Sequence, residues 1–227
     1  MDPPGELIGT GRDADVFALA DGTVLRRNRA PHDTEPEARV MAWAREQGIP
    51  VPAVHRWAES ELVMDRVLGP TMLEDLQRRP WRLVRHARTL ARLQRQLAVL
   101  IAPDWVPVRP GVPTGTALLH LDLHPMNVML APDGPVIIDW TNASRGAASF
   151  DAGYSFALMT GFETTGLRDR IGQKVLITAF AWFRGRAEVR RDLVAACDRR
   201  LADHNTTAGE RAVTERLRAR AQARIST

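Results

Sequence analysis

The sequence is poor in several residue types that mark particular classes of protein. Its 227 residues include one cysteine, one lysine, one tyrosine and only 6% aromatic residues. The single cysteine, Cys197, cannot form an internal disulfide, and without a second thiol nearby it does not indicate a zinc site or a redox pair. We therefore expect Cys197 to be a small residue of the core.

Long hydrophobic runs are also missing. The apolar segments are a handful of residues long, whereas a membrane-spanning helix needs about 20. The opening stretch, MDPPGELIGTGRDAD, has neither the basic head nor the apolar stretch of a secretory signal. With 44% hydrophobic and 26% charged residues, the composition predicts an ordinary globular chain, cytoplasmic and without a membrane partner.

Positive charge is concentrated in the last third of the chain. Residues 152–227 contain 14 Arg and Lys against 8 Asp and Glu, although the net charge of the whole chain is only +4. A basic helical tail can bind nucleic acid, but this one mixes both signs of charge and lacks interleaved aromatic residues. We interpret it as a solvated face and expect no nucleic-acid partner, with nucleic-acid binding as an alternative to be tested.

Residues 1–67 carry the pattern of a small antiparallel sheet with one helix. The Asp21-Gly22 pair inside FALADGTVLRR predicts a β-hairpin. Thr34, followed three residues later by Glu37, predicts a capping box at the start of a helix that stops at Gly48. The segments VPAVHRWA and ELVMDRV predict further strands.

Residues 68–227 are predicted to be mainly helical. Apolar residues recur at spacings of three and four between Leu83 and Ile101, which is typical of an amphipathic helix. Two short strands, TALLHL and PVIID, follow, and the pattern is helical again from Phe150. The tryptophans lie mostly beside apolar periodic positions, so we expect all except Trp105 to pack in the core; they are Trp43, Trp57, Trp81, Trp105, Trp140 and Trp182.

The candidate catalytic residues lie in one segment, LLHLDLHPMNVMLAPDGPVIIDW, residues 118–140. It places three oxygen-bearing side chains, Asp122, Asn127 and Asp139, at the ends of short apolar strands. Mg²⁺ binds hard oxygen ligands of this kind. The protein supplies only a few of them when substrate phosphates complete the coordination shell of the metal. A carboxylate beside them can accept the proton of an attacking hydroxyl, so the pattern indicates phosphoryl transfer.

The spacing H-x-D-x-x-x-x-N, followed 12 residues later by an Asp, resembles the catalytic core of the aminoglycoside phosphotransferase and choline kinase family. These enzymes are small-molecule relatives of the protein kinases. The resemblance implies a two-lobed, protein-kinase-like α+β fold, with a nucleotide-binding lobe at residues 1–67 and a helical catalytic and acceptor-binding lobe at residues 68–227. It also implies that Asp122 is the catalytic base, that Asn127 and Asp139 bind Mg²⁺, and that His120 organises the catalytic loop.

The first lobe offers groups for the nucleotide phosphates. Gly9 and Gly11, in GTGRDADV, precede a strand as a phosphate-covering loop would, although a plain turn explains them equally well. The resemblance implies a cation on the third strand, and Arg26 stands there in place of the usual lysine. Glu37 would either pair with that cation or serve the Thr34 capping box, and the resemblance favours the ion pair.

Three further positions complete the expected site. LVMDRVLG resembles the family's hinge, where backbone groups of Met64, Asp65 and Arg66 would meet the adenine. Asp151 matches an Asp that the family carries after the metal ligand, and we expect it to brace the catalytic loop. His124 has no second His or Cys at a ligand spacing, so we interpret it as a histidine that packs the loop.

The sequence therefore predicts a kinase that transfers the γ-phosphoryl group of ATP, or of GTP, to a hydroxyl group of a small metabolite or antibiotic. The basic last third of the chain favours a neutral or anionic acceptor over a polycationic one such as an aminoglycoside, and Trp105 is a candidate to line the acceptor site. The missing lysine motivates an alternative, a nucleotide-binding pseudokinase without phosphotransfer. Oligomeric state is not predicted.

Overall fold

A computed structural model describes residues 5–11 and 13–224, which divide into two compact units. The first comprises the chain up to Pro70 together with Met129–Thr141, and the second comprises Thr71–Val128 together with the chain from Asn142 onward. The division at Pro70 lies three residues beyond the boundary drawn from the sequence. The assignment of residues 129–141 to the first unit has no counterpart in the sequence prediction.

The first unit is built on a five-stranded antiparallel sheet in the order β1-β2-β3-β5-β4. The strands are β1 (Glu6–Thr10), β2 (Ala14–Ala18), β3 (Thr23–Asn28), β4 (Val54–Ala58) and β5 (Glu61–Asp65). Gly22 has a φ of 83°, the left-handed conformation that glycine adopts without steric cost. The Asp21 carboxylate accepts hydrogen bonds from the Thr23 N–H and hydroxyl groups. The predicted hairpin is confirmed.

The predicted helix forms as α1 (Glu35–Glu46), but its start differs from the prediction. The Thr34 side chain makes no cap hydrogen bond. Its fully buried hydroxyl instead lies 2.6 Å from the carbonyl oxygen of Ala58 and 3.1 Å from that of Glu61. The predicted capping box is wrong because Thr34 contacts the turn between β4 and β5 and leaves Glu37 free for another partner.

A second hairpin joins the first unit from a distant part of the sequence. It consists of β7 (Val128–Ala131) and β8 (Gly134–Ile137). The Leu130 N–H donates to the Pro70 carbonyl and the Ile137 N–H donates to the Pro50 carbonyl, each at 2.8 Å. These backbone bonds hold residues 129–141 against the chain that precedes Pro70.

The second unit is mainly helical. It contains α2 (Met72–Arg78), α3 (Leu83–Ala98), α4 (Ala148–Gly161), α5 (Leu167–Arg184), α6 (Arg186–Arg191), α7 (Leu193–Ala202) and α8 (Ala208–Ala223), the short strands β6 (Ala117–Leu119) and β9 (Ser144–Gly146), and 3-10 turns at Pro80–Arg82 and Pro125–Asn127. The helix predicted to reach Ile101 ends at Ala98. No helix in the described part of the chain is long and apolar enough to cross a membrane.

Helix α4 is the centre of the second unit. It contacts α3, α5, α6, α7 and α8, and most of its side chains are buried. Phe150 and Tyr154 of α4 pack with Leu119 in one apolar cluster. Cys197 packs in a second cluster and is fully buried, as expected, and burial raises the pKa of its thiol to about 12.

The tryptophans do not share one environment. Trp140 is fully buried, and its indole N–H donates to the Ile137 carbonyl at 3.2 Å. Trp57, Trp81 and Trp182, in contrast, are 46%, 76% and 65% exposed. The prediction of core packing is wrong for these three. An apolar neighbour in the sequence does not settle burial, since Ala58 beside Trp57 is exposed whereas Ala181 beside Trp182 is buried.

Candidate active site

The loop after β6 fixes the Asp122 carboxylate from two sides. The side-chain amide of Asn127 donates to Asp122 Oδ2 at 2.8 Å and to the Asp122 carbonyl at 2.9 Å. His124 Nε2 lies 3.3 Å from Asp122 Oδ1. Because His124 Nδ1 accepts the Met126 N–H at 3.2 Å, the proton of the neutral ring is assigned to Nε2, which donates to Asp122.

The same loop is braced from α4. Leu121 has a φ of 58°, a strained value for a side chain with a Cβ. Its N–H donates to Asp151 Oδ1 at 2.8 Å, and the His120 N–H lies 3.4 Å from Asp151 Oδ2. The buried His120 ring accepts the Asp122 N–H through Nδ1 at 3.2 Å. Asp151 and His120 thus make the loop contacts expected of them.

Asp122 on the loop and Asp151 on α4 have opposite electrostatic character. Burial raises the pKa of Asp122, but hydrogen bonds from His124 and Asn127 and the nearby histidines outweigh it, so the pKa lies below its ordinary value. Burial dominates at Asp151 and raises its pKa despite the backbone N–H groups that it accepts. Asp122 is therefore the carboxylate held ionised, with its side chain 24% exposed.

In the first unit, Arg26 and Glu37 form a buried, two-pronged ion pair. Arg26 Nη1 donates to Glu37 Oε1 at 2.7 Å, and Arg26 Nη2 donates to Glu37 Oε2. Burial lowers the pKa of Arg26, but the attraction and hydrogen bonding of Glu37 more than reverse this and raise it. Of the two interpretations of Glu37, the ion pair is the one observed.

Asp139 belongs to this cluster. It has a φ of 61°, and its Oδ1 lies 3.6 Å from Arg26 Nη1. The Thr141 hydroxyl links the group, since it lies 3.0 Å from Asp139 Oδ1 and 3.2 Å from Glu37 Oε2 and accepts from Arg26 Nη1 at 3.3 Å. The ion pair and the expected metal ligand are thereby connected within one unit.

The remaining predicted positions of the first unit lie on the sheet. Gly9 is in β1 opposite Val16, and the Gly11 N–H donates to the Ala14 carbonyl at 2.8 Å across the turn. GTGRDADV therefore forms the tip of the β1–β2 hairpin, except that Arg12 lies outside the described residues. A hairpin tip fits both the phosphate-covering loop and the plain turn that the sequence left open.

Met64 and Asp65 end β5, and the exposed Arg66 follows. The Asp65 carboxylate already has partners in the first unit. It contacts His55 Nε2 at 2.7 Å and accepts the Ala53 N–H at 3.1 Å. Burial raises the pKa of Asp65, but these hydrogen bonds lower it overall. This segment therefore offers its backbone, more than its acidic side chain, to a ligand.

The oxygen donors are of the kind that Mg²⁺ accepts. Asn127 uses its amide nitrogen toward Asp122, and its Oδ1 has no hydrogen-bond donor among the described residues. The Asp139 side chain is 49% exposed and uses only Oδ1 in the hydrogen bonds described. In the described part of the chain, three or more His, Cys, Asp or Glu side chains do not converge on a metal-sized site.

Two residues near the predicted site were not assigned a role there. The sequence predicts that His124 packs the loop. It does pack against the Phe162 ring, but it also contacts the Asp122 carboxylate. Thr141 carries no motif of its own. The H-P pair at His124 and the position of Thr141 two residues after Asp139 are the only signals in the sequence, and neither implies these contacts.

Several solved structures resemble this fold, and three of them are named as small-molecule kinases or members of a kinase family. A choline/ethanolamine kinase family protein from Mesorhizobium loti matches with 19% identity and a TM-score of 0.59, over 100% of this chain and 89% of that one. Aminoglycoside phosphotransferase APH(4)-Ia matches with 14% identity and a TM-score of 0.64, over 97% and 92%. The streptomycin–ATP–APH(2'')-IIa complex matches with 12% identity and a TM-score of 0.58, over 88% and 85%.

These likenesses define the class of the fold, the protein-kinase-like α+β class that the sequence predicts. A search of curated protein sequences gives no match. The family model described as APH, phosphotransferase enzyme family, matches residues 5–111 and 69–191. The chain belongs to this phosphotransferase family, as the resemblance in its sequence implied.

Proposed function

We propose that the protein transfers the γ-phosphoryl group of ATP to a hydroxyl group of a small molecule, with Asp122 as the general base. The observation that carries this proposal is the Asp122 carboxylate, which is oriented by Asn127 and His124 and remains partly exposed. A base in phosphoryl transfer has to hold the attacking hydroxyl in line and take its proton, and an ionised, oriented carboxylate meets both requirements.

The proposed step forms one bond, breaks one bond and transfers one proton. The acceptor oxygen bonds to the γ-phosphorus, the bond from that phosphorus to the bridging oxygen of the nucleoside diphosphate breaks, and the hydroxyl proton passes to the Asp122 carboxylate. Each Asp122 oxygen already accepts one protein donor, and each retains a lone pair for the hydroxyl. The hydrogen bond that the Leu121 N–H donates to Asp151 Oδ1 holds the loop in this geometry.

The first unit would bind the nucleotide. The backbone at Gly9 and Gly11 would cover the phosphates, Arg26 would attract them while Glu37 and Thr141 hold its guanidinium, and the backbone at Met64–Arg66 would meet the base. The streptomycin–ATP complex of a relative in fold supports ATP as the donor, and GTP is the alternative. Asn127 and Asp139 would hold Mg²⁺, which when bound neutralises charge on the transferring phosphates.

We propose a neutral or anionic hydroxyl acceptor. The second unit is rich in Arg. Of the three carboxylates that could gather to attract a polycation, Glu163 accepts the Thr207 hydroxyl at 2.9 Å and Asp203 accepts from Arg200 at 2.9 Å. The third, Asp169, is exposed at the start of α5. The relatives in fold are named for aminoglycosides and for choline or ethanolamine. Cationic acceptors therefore belong in any test of this preference.

The test is release of nucleoside diphosphate from Mg-ATP and Mg-GTP across aminoglycosides, other hydroxylated antibiotics, nucleosides, sugars and amino alcohols. Asp122→Asn is the blank, since it keeps the shape of the side chain and removes the base. We expect acceptor-dependent release that falls by at least about a hundredfold in the variant. Normal turnover in Asp122→Asn would exclude Asp122 as the base.

Nucleotide binding and turnover, measured together, separate the kinase from the pseudokinase. We expect calorimetry to detect Mg-ATP binding that Asp122→Asn retains and that Asp139→Ala loses together with its dependence on Mg²⁺. Binding without turnover on any acceptor would support the pseudokinase. The absence of both would contradict the whole proposal.

A further inference from the structure

Helices α3 and α5 lie side by side and run in the same direction. Near their starts, a Cβ added at Gly172 would lie 3.8 Å from Leu83 Cδ1. Near their ends, Arg184 Nε donates to Gln94 Oε1 at 3.1 Å. An open groove of about 560 Å³ runs along the pair, and its lining includes Lys174 and Trp182.

An apolar stripe follows this groove. Leu167, Ile171, Val175 and Trp182 recur on one face of α5 and are 74%, 55%, 40% and 65% exposed. Val84, on α3, is 51% exposed and lines the same groove. Large apolar side chains scattered singly on a surface need no explanation, whereas a contiguous stripe indicates an interaction site.

The surroundings of the stripe are strongly cationic. Residues 76–103 contain seven Arg and no Asp or Glu, and residues 167–187 contain four Arg and one Lys against one Asp. Some of these cations contact aromatic rings: Arg186 stacks over the Trp182 ring, and Arg88 stacks over the Phe183 ring. Within the described residues, several exposed cations of the two helices form no ion pair: Arg85, Arg92, Arg168, Arg170 and Lys174.

We propose that this surface, which we name the α3–α5 face and define by Val84, Ile171, Lys174, Val175, Trp182 and Arg186, binds an anionic phospholipid membrane peripherally. Unpaired cations are complementary to lipid phosphates. Tryptophan and aliphatic side chains enter the boundary between headgroups and acyl chains, and the long Arg and Lys stems let their charges stay with the headgroups.

The arrangement favours a lipid surface over the other partners of such a face. A second copy of the chain would bring the same uncompensated cations against each other. A nucleic acid would match the charge but would leave the aliphatic stripe of Ile171 and Val175 without a role. A bilayer matches both features and needs no shape complementarity beyond an accessible face. The sequence-based expectation of no membrane partner depended on the lack of a long apolar run, which peripheral binding does not require.

The test is co-sedimentation of the whole protein with vesicles of phosphatidylcholine alone and of phosphatidylcholine with about 30% phosphatidylglycerol. We expect binding to the anionic vesicles, weak or no binding to the neutral ones, and release at high salt because exposed charges are screened. Nucleotide and acceptor are omitted, so the result does not depend on the proposed phosphotransferase activity.

Two variants and a matched control locate the surface. Lys174→Glu and Trp182→Ser change exposed side chains and should leave the fold intact, which circular dichroism verifies. Each removed charge is expected to weaken partitioning about fivefold, so Lys174→Glu should weaken it by about 25-fold and Trp182→Ser by at least about tenfold. Arg220→Glu makes the same charge change on the exposed face of α8 and should weaken partitioning by no more than about threefold, since a charge outside the contact acts only through the screened long-range attraction.

Three outcomes would overturn the proposal. One is the absence of binding to anionic vesicles at low salt. Another is equal loss of binding in Arg220→Glu and Lys174→Glu, which would reflect net charge and no particular face. The third is a dimer in analytical ultracentrifugation that Trp182→Ser converts to monomer, since the α3–α5 face would then be covered by a second copy.

Discussion

At the scale of single residues, His124 shows how one side chain combines two tasks. Its Nδ1 accepts the Met126 N–H at the start of the 3-10 turn, and its Nε2 faces Asp122 Oδ1. The first contact fixes the ring and the position of its proton, and the second uses that proton to orient the proposed base. The two tasks can be separated by substitution because they involve different nitrogen atoms.

We predict that His124→Asn lowers kcat between about tenfold and a hundredfold with little change in KM for the nucleotide. Asparagine is a good helix N-cap and can accept the Met126 N–H, but it is too short to donate to Asp122. Steady-state kinetics with the acceptor identified by the panel checks this, and thermal unfolding confirms that the fold is kept. An unchanged kcat would show that Asn127 alone is sufficient to orient Asp122.

Arg26 and Arg27 are adjacent residues of β3 in opposite environments. Arg26 is buried with Glu37, whereas the Arg27 side chain is 36% exposed and pairs with Glu61 at 2.8 Å. We predict that Arg26→Met lowers the free energy of unfolding by about 3 kcal/mol, because it leaves the buried Glu37 carboxylate without a cation. Arg27→Met should cost less than about 1 kcal/mol.

Urea denaturation of the two arginine variants makes the comparison. Arg26→Lys should lie between wild type and Arg26→Met, since an ammonium keeps the charge but loses the two-pronged contact. Equal losses in Arg26→Met and Arg27→Met would show that the buried pair contributes no more than a surface pair.

At the scale of elements, a buried carboxylate joins α2 to α3. Asp75 of α2 accepts from Arg79 at 2.9 Å, from Arg82 at 3.0 Å and contacts His86 Nε2 of α3 at 2.7 Å. Burial raises the pKa of Asp75, but these three partners outweigh it and lower the pKa to about 2. The folded form therefore binds this proton more weakly than the unfolded chain, whose value is 3.8.

We predict that Asp75 stabilises the fold fully above about pH 4 and that this contribution is lost as the pH falls toward 2. Asp75→Asn should lower the free energy of unfolding by about 2 kcal/mol near pH 5. The gap between variant and wild type should narrow with acid, as urea denaturation at several pH values will show. A gap independent of pH would mean that Asp75 acts through shape alone.

Capping motifs show which elements can be predicted from local sequence. Thr34 and Thr71 are each followed three residues later by Glu, but only the pattern at Thr71 forms a capping box. At Thr34 the hydroxyl and the carboxylate are both drawn to tertiary partners, which a four-residue pattern cannot reveal. The hairpin at Gly22 could be predicted because its turn depends on two adjacent residues alone.

At the scale of the whole molecule, the limit of prediction is contact between distant segments. The contact between Asp122 and Asn127 could be predicted from the H-x-D-x-x-x-x-N spacing, because the two residues are only five positions apart. The link from Thr141 to Glu37 spans 104 residues, and nothing near Thr141 in the sequence indicates it. For the same reason the assignment of residues 129–141 to the first unit became visible only in the structure.

Gly69 lies where the chain is about to leave the first unit, and the returning β7 strand passes beside it. Its φ is 134°, and a Cβ added there would lie 2.2 Å from the Leu130 carbonyl oxygen. That backbone cannot withdraw easily, because the Leu130 N–H is bonded to the Pro70 carbonyl. Gly134 provides a matched control, since it has the same φ of 134° and nothing within 4 Å of an added Cβ.

We predict that Gly134→Ala lowers the free energy of unfolding by about 2 kcal/mol, the cost of a side chain in a backbone region reserved for glycine. Gly69→Ala should add at least about 2 kcal/mol to this, because it also forces apart the two distant segments of the first unit. The difference between the two variants in urea denaturation isolates the contribution of that contact. Equal losses would mean that backbone strain accounts for both, and that the return of residues 129–141 does not depend on close approach at Gly69.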